Sequence, residues 1–107
     1  MSKYLNKKTV VDGIKFDSKK EANRWLQLKE LEEKGEISLL RRQYPLILIE
    51  KSKYGRQIKY VADFTYLQNG IVVVEDVKSP YTAKNPIYRL KKRMVAEKYD
   101  VVIKEVY

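Results

Sequence analysis

The sequence predicts a mixed α/β (α+β) domain of element order αβββαβ, a central mixed sheet flanked by helices. Three observations carry this. Asn69-Gly70 lies between two β-rich runs, and Asn-Gly specifies a two-residue type I′ hairpin because both central positions need positive φ. Ser18 followed three residues later by Glu21 is a capping-box pattern, opening a helix that runs to about Lys34, where Gly35 supplies the C′ position. Asn85-Pro86 opens a second helix, PIYRLKKRMVAEKY, and VVIKEV at 101–106 then reads as a strand parallel to a central neighbour.

The 107 residues suffice for one hydrophobic core, so 1–107 reads as a single domain. Residues 1–10 are basic and aperiodic, either a loose arm or a short edge strand ending at Val10-Val11, and Asp12-Gly13 is a turn signal. With no cysteine and no histidine, the chain itself supplies no disulfide, zinc finger, thiol nucleophile or imidazole base, so any metal must be held by oxygen. Lys plus Arg number 23 against 14 Asp plus Glu, a net charge of +9. That balance favours a polyanionic partner, nucleic acid before an anionic membrane surface, although a solubilising charge excess accounts for it equally well. No apolar run approaches the roughly 20 residues that span a bilayer, and the N-terminus lacks a signal-peptide centre. The expectation is a cytoplasmic protein without a membrane partner.

In the first helix, advancing about 100° per residue places Glu21 inside the apolar stripe of Ala22, Trp25, Leu26 and Leu28. Glu21 is then either a helix cap alone or an inward carboxylate. Residues 36–50 are strand-like, and Leu46-Ile47-Leu48-Ile49 predicts a stretch covered on both faces, with Pro45 marking an edge, bulge or break. The basic turn at 51–57, containing Arg56, reads as a phosphate-contacting loop or an ordinary solvated one. Residues 79–86 form a loop long enough to be functional. In the second helix Ile87, Leu90, Met94 and Val95 are the predicted apolar positions, and Arg89, Lys91, Lys92 and Arg93 a basic flank.

The hairpin concentrates the chemistry. If Gln68 and Ile71 flank its turn, Asp63 lies opposite Asp76 and Val61 opposite Lys78. Alternation then puts Val61, Asp63, Thr65, Val74, Asp76 and Lys78 on one face and Ala62, Phe64, Tyr66, Val73, Glu75 and Val77 on the other. Two carboxylates facing each other are destabilising unless a proton or a cation sits between them.

Asp63, then Asp76-Val77-Lys78 on the following strand, with Glu21 on a preceding helix, resembles the PD-(D/E)xK nuclease superfamily, whose restriction-endonuclease-like core has the order αβββαβ. The resemblance runs from Phe16 to the end. It is nearest to small phage and prophage endonuclease-like proteins through FDSKKEANRW, YVADFTY and VVEDVKS, and is similar in plan to archaeal-type Holliday junction resolvases. Ala62 stands where the first motif often has proline. Strand parity assigns the second acid to Asp76 rather than Glu75.

The resemblance implies a Mg²⁺- or Mn²⁺-dependent endodeoxyribonuclease hydrolysing DNA phosphodiester bonds, in phage or prophage DNA processing or junction resolution. It implies Asp63, Asp76 and the Val77 carbonyl as metal ligands, Glu21 at a second metal or a metal-bound water, and Lys78 orienting water or stabilising phosphate charge. Lys84, Arg89, Lys91, Lys92 and Arg56 are the candidate DNA contacts, and a homodimer would supply the two sites needed to cut both strands. Two alternatives stay open: a non-catalytic basic DNA-binding module on the same fold, and an assembly protein in which the two aspartates belong to an ordinary buried ion-pair network.

Overall fold

The structure, a computed structural model, describes residues 8–107; the basic stretch 1–7 lies outside the described residues. Thr9–Val11 (β1) pairs antiparallel with Ile14–Phe16 (β2), a strand the sequence reading did not separate from its turn. Asp12 and Gly13 both have positive φ, as a two-residue hairpin turn requires. Helix α1 follows at Lys19–Glu33, its N-cap Ser18 accepting from the Glu21 N–H. It ends in a Schellman closure: Gly35, at φ +78, donates to the Glu32 carbonyl and Glu36 to the Leu31 carbonyl.

The main sheet has the order β3-β4-β5-β6, with β3 at Ser38–Ile49, β4 at Ile58–Gln68, β5 at Ile71–Val77 and β6 at Lys104–Val106. β3, β4 and β5 are antiparallel neighbours, whereas β6, reached through helix α2 at Pro86–Tyr99, is parallel to β5. From α1 onward the order is αβββαβ on a mixed sheet, the predicted class. The hairpin register agrees with the turn chemistry, from Gln68↔Ile71 to Phe64↔Glu75, with Asn69 and Gly70 both at positive φ.

Side chains alternate strictly along β5. Val73 and Val77 pack into a cluster with Ala22, Trp25 and Leu28 of α1, while Val74 joins Tyr88 and Val95 of α2, so the helices cover opposite faces. β4 does not keep one phase. Phe64 and Tyr66 lie with α1, yet Tyr60 and Ala62 lie with α2, which corrects the expectation that Ala62 shares a face with Phe64. β3 reverses in step, Leu40 packing toward α1 and Leu46 and Leu48 toward α2. The reversal falls at Gln43, whose φ is +52, and at Asp63 beside it.

Three burial expectations are also corrected. β3 is the sheet edge, so Leu48 is buried but Ile49 is exposed, and its apolar run is covered on one face only. Leu26 is exposed because the buried stripe of α1 is Glu21, Ala22, Trp25 and Leu28. In α2 the buried residues are Tyr88 and Val95, while Ile87 and Leu90 are 62% and 56% exposed. Lys91 and Lys92 occupy the intervening turn and are half-buried, their ammonium groups reaching the Lys59 carbonyl and Glu105.

Candidate active site at the fork between β4 and β5

The ladder between β4 and β5 is recorded as far as Phe64↔Glu75, and beyond it side chains take over the backbone's hydrogen bonds. The Val77 N–H donates to Asp63 Oδ2 at 2.8 Å, and the Asp63 N–H donates to Asp76 Oδ1 at 3.3 Å. β5 turns its next N–H, that of Lys78, to the Val106 carbonyl of β6. The strands thus fork, and the two aspartates stand in the fork, facing as the register predicts but outside the regular ladder.

Asp76 is 4% exposed. Its Oδ2 receives both the Tyr60 hydroxyl and Lys78 Nζ, the latter at 2.7 Å. Lys78 is itself held over the Tyr88 ring, 3.9 Å from the centroid. Burial, then the charge of Asp76, raises the Tyr60 phenol far above its ordinary range, so it remains a donor to that carboxylate.

Glu21 is 6% exposed and its carboxyl lies within electrostatic reach of those of Asp63 and Asp76, so the same residue occupies the third position of the cap and faces the hairpin. Glu21, Asp63, Asp76 and Lys78 are therefore brought together. Val77 contributes its N–H to Asp63. Burial, then the neighbouring Asp76, pushes the Asp63 carboxyl up to about 8, and burial is also the leading cause of the upward shift at Glu21.

This has a consequence for stability. Asp63 rises from an ordinary 3.8 to about 8, so between those values the native state keeps a proton that the unfolded chain has lost. The unfolded state then binds fewer protons, and stability falls as pH rises through that window, by at most about 1.4 kcal/mol per pH unit. Thermal melting in chelator across this range should show the decline in the wild type and a flatter profile in Asp63→Asn.

Among the described residues, no three Asp, Glu, His or Cys side chains are arranged to hold a metal ion. The reason is visible in the bonding: Asp63 Oδ2 and both Asp76 oxygens are turned to protein donors, with Lys78 serving as the cation of Asp76. In kind, the donors are hard oxygens, which suit Mg²⁺ or Mn²⁺. The raised Asp63 carboxyl reflects first its burial and then the charge of Asp76 beside it.

The predicted DNA contacts divide. Lys84, Arg89 and Lys92 line one groove of about 800 Å³ with Arg93, between α2 and β6. There Lys92 pairs with Glu105 at 3.0 Å, and hydrogen bonds from the Tyr88 hydroxyl and from Lys92 hold the Glu105 carboxyl down at about 2. Lys91 is directed elsewhere, to the Lys59 carbonyl, and Arg56 is exposed on the turn between β3 and β4, outside that groove. A second groove, of about 700 Å³, opens beside Lys78 and includes Ser18, Lys20, Tyr81 and Thr82.

Sequence reasoning missed Tyr60, Gln43 and Arg24. Tyr60 reaches Asp76 only because of the phase reversal in β4, which no local pattern announces. Arg24 carries a readable signal: it lies one turn after Glu21, and strand alternation places Glu75 on the face away from Asp76. Its Nε and Nη2 clamp Glu75 at 2.8 and 2.6 Å on the α1 side, with the Tyr66 hydroxyl as a further donor.

Among the described residues, no helix is long and apolar enough to cross a membrane. No curated protein and no solved structure matches the chain. Matched over residues 1–106, the chain belongs to the family described as Protein of unknown function (DUF1064).

Proposed function

We propose that the fork between β4 and β5 is the active centre of a divalent-metal-dependent endonuclease acting on DNA in the cytoplasm, of the PD-(D/E)xK type. The observation that supports it most is the convergence of buried Glu21, Asp63 and Asp76 with Lys78, from a helix and two strands. A cluster of buried acids whose proton affinity is raised is a functional-site signature rather than an economical fold element.

Asp63 and Asp76, with the Val77 carbonyl, would hold Mg²⁺ or Mn²⁺, and Glu21 would adjoin it. When bound, such a cation polarises a phosphoryl oxygen and lowers the pKa of a bound water. The protein's own part is then definable. Lys78, released from Asp76, would place its ammonium against a non-bridging phosphate oxygen, with Tyr88 fixing the direction of its stem. Glu21, with its raised proton affinity, would take a proton from the attacking water. The groove with Lys84, Arg89 and Arg93 would hold the flanking phosphates.

The non-catalytic reading keeps that groove and drops the metal. One series separates them: binding and cleavage of linear, branched and single-stranded DNA in Mg²⁺, Mn²⁺ or EDTA. Cleavage in the metal arms and none in EDTA supports the nuclease; salt-sensitive binding indifferent to metal, without cleavage, leaves a DNA-binding module.

A further inference from the structure

Among the described residues, five non-glycine residues have φ between 52° and 57°. Asp12 and Asn69 form tight turns, Asp100 caps α2, and Leu39 lies where the β3–β4 register shifts between Ser38 and Arg41, so a turn, a cap or a bulge accounts for each. Gln43 has no such account. The register on either side of it is the same, Arg42↔Phe64 before and Tyr44↔Ala62 after, so its left-handed backbone absorbs no extra residue.

Its effect is on direction. Neighbouring strand residues ordinarily point to opposite faces, but Arg42 and Gln43 both serve the carboxylate cluster. The Arg42 guanidinium lies over the Phe16 ring, 4.8 Å from its centroid, and its charge acts on Glu21. Gln43 Nε2 donates to Asp63 Oδ1 at 3.5 Å, the outer limit of a hydrogen bond. Asp63 Oδ2 is already taken by the Val77 N–H, so the two contacts engage one carboxylate oxygen each.

Resting on the proposed function, we infer that Gln43 is a further positioning residue of the site: its strained backbone aims the carboxamide at Asp63 and sets that carboxylate for its cation. A strand residue in a conformation glycine would adopt freely, kept where its side chain meets an active-site acid, is a stability cost sustained by function.

Gln43→Gly separates the two roles, because it relieves the backbone while deleting the amide. The expected result is a melting temperature equal to or above that of the wild type, with cleavage reduced about 10- to 100-fold. The Mg²⁺ concentration for half-maximal cleavage should rise, KM for DNA should stay unchanged, and the Mg²⁺-induced rise in melting temperature should shrink. Gln43→Asn, which tolerates left-handed backbone and retains an amide, should recover part of the loss. Wild-type cleavage and Mg²⁺ requirement in Gln43→Gly would overturn the inference, as would a loss of cleavage merely proportional to a lower melting temperature. A wild-type protein with neither cleavage nor a melting response to Mg²⁺ would instead remove the proposed function, and this inference with it.

Discussion

Lys78→Ala is expected to lower metal-dependent DNA cleavage by about 10²- to 10³-fold, the usual loss when one preorganised donor to a transition-state oxygen is removed. The same substitution strips Asp76, 4% exposed, of its ion-pair partner and leaves it with the Tyr60 hydroxyl and the Asp63 N–H. A buried carboxylate deprived of its cation is destabilising. The variant should therefore melt below the wild type in EDTA and regain much of the difference in Mg²⁺, because a cation on Asp76 takes over the neutralising role. Cleavage should not return with stability. Melting curves with and without Mg²⁺, beside single-turnover rates, distinguish a lysine that acts on the phosphate from one that only balances charge. In the assembly-protein alternative, Mg²⁺ restores nothing.

A second large effect is expected away from the fork. Glu75 is 0% exposed and is clamped by Arg24, with Lys104 Nζ 3.9 Å from the same oxygen that accepts from Tyr66. Arg24→Ala leaves that charge buried without its bidentate partner and should cost about 3 kcal/mol, the lower end of the range for breaking such pairs, since Tyr66 and Lys104 remain. For a domain of this size that is a fall in melting temperature of roughly 12 to 24 °C. Replacing both members, Arg24→Met with Glu75→Leu, should recover most of the loss, because apolar packing substitutes well for a buried pair whereas an orphaned charge does not. The pair bears on function through the chain: Glu75 precedes Asp76 in β5, so anchoring Glu75 to α1 also sets the strand that presents Asp76 and ties it to the helix that presents Glu21.

How much of this is legible in the sequence follows from the range of the forces. The turn at Asn69-Gly70 and the caps at Ser18 and Asn85 are local steric and hydrogen-bond effects, and they locate the hairpin and both helix starts. The register then follows from the turn, which is why Asp63 and Asp76 face each other. The phase reversal at Gln43 and Asp63 has no local signature, since glutamine is not a residue that announces positive φ, and it hid Tyr60 and Gln43. The inner face of α2 departs from the apolar periodicity for another reason. Lysine counts as polar in a periodicity argument, but Lys91 and Lys92 are half-buried and bond to the Lys59 carbonyl and to Glu105, while Ile87 and Leu90 face outward.

In the proposed site a divalent cation sits between Asp63 and Asp76. The most direct measurement is anomalous diffraction from crystals of the wild-type protein soaked in Mn²⁺. A single strong peak is expected in the fork, contacted by both aspartates, with Lys78 Nζ moved off Asp76 and the peak lost in Asp76→Asn. Soaked crystals in which Lys78 remains on Asp76 and no manganese enters the fork would contradict it.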